Sequence, residues 1–345
     1  MAIQLTEEKL QKRSGITITQ GKLEVLKQNN FICLQETAGG DAPKDVIKVY
    51  EYGRCRKDNP KTWIKYIAKI GHKWYPNESL TEHYLTQIGK CFSINIANSK
   101  IVYAENYIRF LSEHFHNNEQ SLEHGANILS RYINESDTNW IDEMDKKKTL
   151  KGKINIEDIT KAIKDVFKEQ CHSILNDFVH MLLFDALSGN NDRHYYNWGV
   201  ITHIKNKHKP YFSPLYDSAR GLLWNKNDIN VVHLHTLLKK GNDKPIIKYV
   251  NKSAPKISIP DNMSCNHFEL IAYLKINNYI SENHINVWTN EENLNKALNV
   301  LNTDFKHLFI KERRVLIEKI LKIRFNKLVQ ILVNNSYDKI FKKYF

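Results

Sequence analysis

The 345-residue sequence predicts an α+β fold with two lobes: a small, mostly β lobe over residues 1–110 and a larger, mostly α lobe over residues 111–345. Three observations predict it. Short β-like runs, interrupted by the only Gly-Gly pair in the chain, fill the first third. From about Leu111 the apolar residues fall at helical spacing. A polar loop, Gly189 to Gly199, then directly follows a strongly apolar helix, with Asp217 beyond it. Apolar residues make up 41% of the chain, enough for a sizeable core.

Residues 1–30 read as a charged helix and lead-in, and Phe31–Leu34 as a strand. Residues 36–44 form a glycine turn, and Val46–Tyr52 is the returning strand. After a polar turn at Arg54–Lys61, Trp63–Ile70 is a strand with Lys69 near its end. Pro76-Asn-Glu-Ser opens a helix. Ser79 and Glu82 fit a capping box there, and Leu80, Tyr84, Leu85 and Ile88 form its apolar face. Ser93–Val102 and Glu105–Phe110 read as strands, and Asp137–Lys153 as an exposed charged insertion. The longest clear helix is Val166–Leu187, stopped by Gly189 at its C-terminal cap. Trp198–Thr202 and Tyr211–Phe212 form a hairpin, and the rest is loop and helix. Leu316, Ile320, Ile323, Leu328 and Ile331 are spaced as a helix face that needs a packing partner.

The composition excludes several classes. No run of about 18 apolar residues suits a membrane span, and the early acidic N-terminus is unlike a secretory signal. Five scattered cysteines with no Cys-x-x-Cys pair point to a reducing compartment. The expected location is the cytoplasm, with export by a route needing no signal peptide still open. The pairs His114/His116 and His233/His235 have no cysteine or carboxylate at zinc-ligand spacing, and read as surface or packing histidines. Net charge is +13, and residues 306–345 hold eleven Lys/Arg against three Asp/Glu, or +8. That tail reads as a solvated helix face; a surface for an acidic partner is the alternative. No helix-turn-helix, zinc-finger or RNA-recognition signature occurs, so a nucleic-acid partner is not expected.

The chemistry concentrates after Gly189. Asp192 precedes Asn197 by five residues, the spacing of a protein-kinase catalytic loop between its catalytic Asp and its magnesium-binding Asn. Asp217 stands where a second metal ligand is required. Phosphoryl transfer needs the attacking hydroxyl held in line, which a carboxylate accepting its proton achieves. Magnesium takes hard oxygen donors, commonly only one or two of them carboxylates. An Asx-rich turn after a helix would account for Asn190 to Asp192 but not for His194, Asn197 and Asp217. Lys69 follows Ile-Ala, like the phosphate lysine of a kinase strand, with Lys65 on the same strand face as runner-up. Glu82 is the natural ion-pair partner of that lysine unless it serves the helix cap, and Glu78 is the alternative. Gly39 and Gly40, with Lys44, suit a phosphate cover, because glycine allows close backbone approach.

Together these residues resemble the HipA-like serine/threonine kinases. The segment Gly189-Asn-Asn-Asp-Arg-His-Tyr-Tyr-Asn197 is similar to that family's Gly-Asn-x-Asp-x-His-x-x-Asn loop, and Pro214-Leu-Tyr-Asp217 to its Pro-x-Tyr-Asp motif. Gly39-Gly-Asp-Ala-Pro-Lys44 is similar to its glycine loop. The likeness runs from Thr37 to about Trp224, and its Asp-Arg-His-x-x-Asn core also resembles phosphatidylinositol-type lipid kinases. The resemblance implies ATP and Mg²⁺ as cofactors. It implies Asp192 as the catalytic Asp, with His194 in the family's His position as a supporting or catalytic group. It further implies Asn197 and Asp217 as metal ligands, and Lys69 as the ATP lysine.

The family includes toxins of toxin–antitoxin pairs and kinases delivered into host cells. The implied protein substrate is an aminoacyl-tRNA synthetase or a host protein. Two departures stand out. Only 36 residues precede Thr37, so the longer relatives' N-terminal subdomain is expected to be missing, which implies a small antitoxin or accessory partner. The glycine loop has no serine, and Thr37 is its only hydroxyl for autophosphorylation. The alternatives to a protein kinase are a lipid kinase and a non-catalytic kinase-like binding module.

Overall fold

The structure is a computed structural model that describes residues 23–36, 44–70, 77–104, 107–205 and 207–334. Thr37, Gly39 and Gly40, with the rest of residues 37–43, lie outside the described residues, as do residues 1–22 and 335–345.

Strands β1 (Glu24–Val25), β2 (Phe31–Cys33), β3 (Lys44–Val49) and β4 (Ile64–Ile70) precede helix α1 (Asn77–Cys91). Strands β5 (Ser99–Ala104) and β6 (Tyr107–Glu113) follow it. The described strands form a six-stranded sheet in the order β1-β5-β6-β4-β3-β2, with β1 parallel to β5 and every other pair antiparallel. Alternation in a strand sends successive side chains to opposite faces. Register places Lys44 opposite Lys69, and Lys69 opposite Phe110, so these three share one face. Ile47, Val49, Tyr66, Ala68 and Leu111 on the other face are buried in a small core with Leu26, Val102 and Ala104.

The rest of the chain is mostly helical. It runs through β7 (Gln120–His124), α2 (Gly125–Tyr132), α3 (Asn139–Lys146), α4 (Leu150–Lys153), α5 (Ile156–Phe167) and α6 (Cys171–Ser188). A three-stranded antiparallel sheet, β7-β8-β9, is completed by β8 (Gly199–His203) and β9 (Tyr211–Phe212). Helices α7 (Asp228–Lys239), α8 (Lys244–Lys252), α9 (His267–Ile276), α10 (Glu282–Trp288), α11 (Glu291–Thr303) and α12 (Lys311–Val333) complete it. The fold is the expected two-lobed, kinase-like α+β arrangement. Among the described residues no helix is long and apolar enough to cross a membrane.

Helix α1 connects the two halves. Leu80, Tyr84, Leu85 and Ile88 are fully buried, as their spacing predicts, in one core with α6, α9 and α12. The Tyr84 hydroxyl donates to the Ala297 carbonyl of α11 at 3.0 Å, and its ring meets Phe305 edge-on. Burying such a face contributes about 1.5–3 kcal/mol per large side chain, so α1 is fixed on the helical lobe.

The structure departs from the sequence-based expectations at five places. The strand expected from Ser93 begins at Ser99; Ser93 takes a left-handed φ of 56° as the chain turns out of α1, and Ile96 makes only an isolated bridge to Leu215. The helix expected from Val166 begins at Cys171, because Lys168, at φ 38°, breaks the run and resets its phase. At 23 residues, α12 is longer than the 18-residue α6. Residues 137–153 are not a free insertion, since Ile141 and Leu150 are buried in the main core. Finally, two arginines of the basic tail are core residues. Arg313 bonds Asp228 and the Leu223 and Lys226 carbonyls, and Arg324 donates to the Ala186 and Val250 carbonyls. A long helix crossing the core meets helix C-terminal carbonyls that need donors.

One half-buried histidine gives a pH prediction. On α6, His180 Nδ1 accepts from the Trp288 indole at 3.1 Å, and its ring lies 4.2 Å from His284. Burial, reinforced by His284, pushes His180 down to about 4 from its ordinary value of 6.5. The unfolded chain therefore binds the proton more readily, and stability falls as pH drops from 6.5 toward 4. We expect the advantage of the wild type over His180→Gln at pH 7 to shrink by roughly 2 kcal/mol by pH 4, solvent screening of the half-exposed ring trimming the full linkage value, read from urea midpoints at each pH.

Candidate active site

The apolar helix α6 delivers the polar loop. Gly189 ends it at φ 70°, a left-handed cap that glycine adopts without a Cβ clash. Asp185, in the last turn of α6, is only 1% exposed. It accepts from Arg193 Nε at 2.9 Å and Nη2 at 3.0 Å, and from the Asn190 amide at 2.9 Å. Arg193 also donates to the Asn197 carbonyl at 2.8 Å, the Tyr216 carbonyl at 2.7 Å and Ser218 Oγ at 2.8 Å. One buried guanidinium thus joins the helix end, the loop and the segment carrying Asp217. A buried charge is tolerated only with partners of this kind.

Within the loop, the Asn197 amide nitrogen donates to the Asp192 carbonyl at 2.9 Å, closing the turn over the spacing read from sequence. That bond commits the nitrogen, so the side-chain oxygen is the atom suited to a cation. The Asp192 carboxylate pairs with Arg220 at 3.0 Å. Burial pushes the Asp192 carboxyl up, with Arg220 opposing, while burial holds His194 down against the pull of Asp192 and Asp217.

The other half of the site comes from the large sheet and α1. Lys69 Nζ lies 2.7 Å from Glu82 Oε1 and 3.0 Å from Asp217 Oδ1, and Lys44 lies 3.5 Å from Asp217 Oδ2. Burial alone would raise the Asp217 carboxyl, but Lys69 and Lys44 hold it well below the usual carboxylate range. For Lys69 burial works against the charge, yet Asp217 and Glu82 outweigh it and raise its affinity for the proton. Glu82, fully enclosed, is pushed up to about 7 by burial, with Lys69 opposing. Asp217 takes a left-handed φ of 52°, which Asp tolerates better than most residues, and Arg193 grips the chain on both sides of it.

The structure places the alternative residues with different partners. Lys65 shares the face of Lys69 but pairs with Glu36 at 2.6 Å. Glu82 faces Lys69 rather than a helix cap, because α1 begins at Asn77 and Ser79 already lies inside its first turn. Glu78 instead faces Arg220, at 3.6 Å. Lys44 and Lys69 therefore meet Asp217 directly and Glu82 through Lys69, while Arg193 ties the Asn197 end of the Asp192 loop to the chain beside Asp217 and His194 lies within reach of the charges of Asp192 and Asp217. Three contributors escaped the sequence reading: Asp185, Arg193 and Arg220. An acid set among the apolar residues that end α6 was the available signal for the first.

The backbone after Asp217 is pressed onto this loop. A Cβ on Gly221 would sit 2.7 Å from the Ser188 carbonyl, which accepts from the Leu222 amide at 3.1 Å. Gly221→Ala should cost about 1–3 kcal/mol and lower the melting temperature accordingly. An unchanged melting temperature would mean that the segment shifts freely.

The site suits magnesium nucleotide chemistry by its donor set: an amide oxygen and carboxylates, ringed by two lysines. Among the described residues no group of three or more His, Cys, Asp or Glu side chains forms a metal cage. Magnesium needs none, since phosphate and water oxygens complete its shell.

Comparison with curated proteins finds no match. Among solved structures, the crystal structure of the Helicobacter pylori proinflammatory kinase CtkA is similar over 93% of this chain and 99% of that chain, with a TM-score of 0.65 and 14% identity. HipA of Shewanella oneidensis MR-1, solved with HipB and its operator DNA, gives a TM-score of 0.49 and 13% identity over 94% of this chain and 76% of that chain. The first of these shows a shared fold. The pattern of the HipA-like C-terminal domain matches residues 37–273, which take in the described strands from β3 onward, the Asp192 loop and Asp217. The chain belongs to the HipA-like C-terminal domain family.

Proposed function

We propose that this chain is an ATP- and Mg²⁺-dependent serine/threonine protein kinase of the HipA type, with lobes dividing near residue 110. The observation that carries the reading is the ionic chain Glu82–Lys69–Asp217, which spans the two lobes at 2.7 and 3.0 Å. Protein kinases need a strand lysine paired with a helix glutamate and an aspartate placed beside it for the metal, and these contacts fit that need. In this reading Asn197 and Asp217 hold the metal, which neutralises phosphate charge when bound. Lys69 and Lys44 attract the phosphates, and Thr37, Gly39 and Gly40 cover them. Asp192 orients the acceptor hydroxyl and takes its proton, while His194 supports the loop. The acceptor is a protein, and family likeness favours an aminoacyl-tRNA synthetase or a host protein. A small antitoxin or accessory protein is the proposed partner.

The test is incubation of the purified chain with γ-labelled ATP and Mg²⁺, alone and with a cell lysate. Label on the chain or on a lysate protein is the expected result. Absence of both label and ATP binding would overturn the reading.

A further inference from the structure

Helix α1 carries two buried glutamates one turn apart, and only Glu82 is used by the ionic chain above. Glu78 Oε1 lies 3.6 Å from Arg220 Nε, and Arg220 Nη1 lies 3.0 Å from Asp192 Oδ2. A second chain, Glu78–Arg220–Asp192, therefore runs beside the first, from the same helix to the other acidic group of the site. We propose that Arg220 is a positioning residue for phosphoryl transfer, fixing the Asp192 carboxylate relative to α1 while Lys69 does the same for Asp217. The proposal rests on the kinase reading.

Arg220 is built in on several sides. Its carbonyl accepts from the Asn191 amide at 3.3 Å, next to Asp192 itself. The following Gly221 packs against the Ser188 carbonyl at the end of α6. The guanidinium lies over the Trp224 ring, 5.2 Å from its centroid, which restrains the long side chain. At the other end α1 is bolted to α11 through Tyr84, so Glu78 is a fixed reference. Arg220 engages Oδ2 of Asp192, which orients the second oxygen. Arginine suits the task because its planar fork can address two carboxylates at once, whereas a lysine ammonium is a single point charge.

The test uses the full chain, γ-labelled ATP with Mg²⁺, and transfer to the chain itself and to dephosphorylated casein. Arg220→Gln should lower kcat by about 100-fold, with ATP affinity by calorimetry and melting temperature near wild type, because Lys69 and Asp217 are untouched. Arg220→Lys should recover about tenfold of that loss, reaching Asp192 but not both partners. Glu78→Gln should lower kcat in the same way, and the double variant should add little, as expected of links in one chain. Wild-type kcat in Arg220→Gln, a loss confined to ATP affinity, or additive losses in the double variant would each overturn the proposal. A faster Arg220→Gln would make the contact an inhibitory clamp and overturn it equally. If the wild type transfers no label and binds no ATP, the kinase reading itself fails and takes the proposal with it.

Discussion

Asp192→Asn is expected to lower phosphoryl transfer from ATP by about 10²–10⁴-fold, the usual contribution of a positioned proton acceptor, while the chain stays folded. Asparagine keeps the shape, and Asp192 engages the loop chiefly through its backbone: its carbonyl accepts from Asn197 and its amide donates to Asn190. Those bonds survive the substitution. What disappears is the acceptor for the hydroxyl proton and the charge paired with Arg220. ATP affinity should therefore change little, since the Lys69, Lys44 and Asp217 ion pairs do not involve Asp192. Asp217→Ala should abolish transfer by a different route, leaving Lys69 and Lys44 without their shared carboxylate and weakening Mg·ATP binding as well. The pair separates proton acceptance from nucleotide binding. Single-turnover transfer and calorimetric ATP titration of both variants make the check. Wild-type transfer in either would remove that residue from the proposed machinery.

The second large effect falls on stability. Arg193→Met should cost about 3–5 kcal/mol, because it leaves the buried Asp185 carboxylate uncompensated. That is a large share of a total of about 5–15 kcal/mol, and urea denaturation reads it directly. Arg193 is 2% exposed, so water cannot replace its five hydrogen bonds. The double variant Asp185→Leu, Arg193→Met should regain part of the stability, since the orphaned charge is gone. It should not regain transfer, because the Asn197 and Tyr216 carbonyls still lack the donor that ties the loop to the Asp217 segment. Equal recovery of both properties would show the arginine to be only a structural plug.

Local features were legible. A short apolar run marked β2 and a β-like run marked β4, helical spacing marked the face of α1 and much of α6, and Gly189 marked the end of α6. The loop from Asp192 to Asn197 could be read because its parts are adjacent in the chain, so spacing alone constrains their geometry. Boundaries were harder. Residues 93–98 have strand-like composition, yet the exit from α1 bends them through a left-handed Ser93. The tail's charge read as solvated, but a helix threading the core turned Arg313 and Arg324 inward to meet carbonyl groups.

Sequence was sufficient to define the class of fold and the spacing of the Asp192–Asn197 loop, because each depends on neighbours within a few positions. Folding chose the pairings. Lys69 meets Asp217 across 148 positions, and the strand register of β3 and β4, not composition, puts Lys69 rather than Lys65 at that spot. Glu82 faces that lysine and Glu78 faces Arg220 because α1 is rotated by its own apolar face against the helical lobe. A charged side chain finds its partner through the topology that carries both, and ion-pair energy depends on distances of a few ångströms, which one-dimensional spacing does not encode.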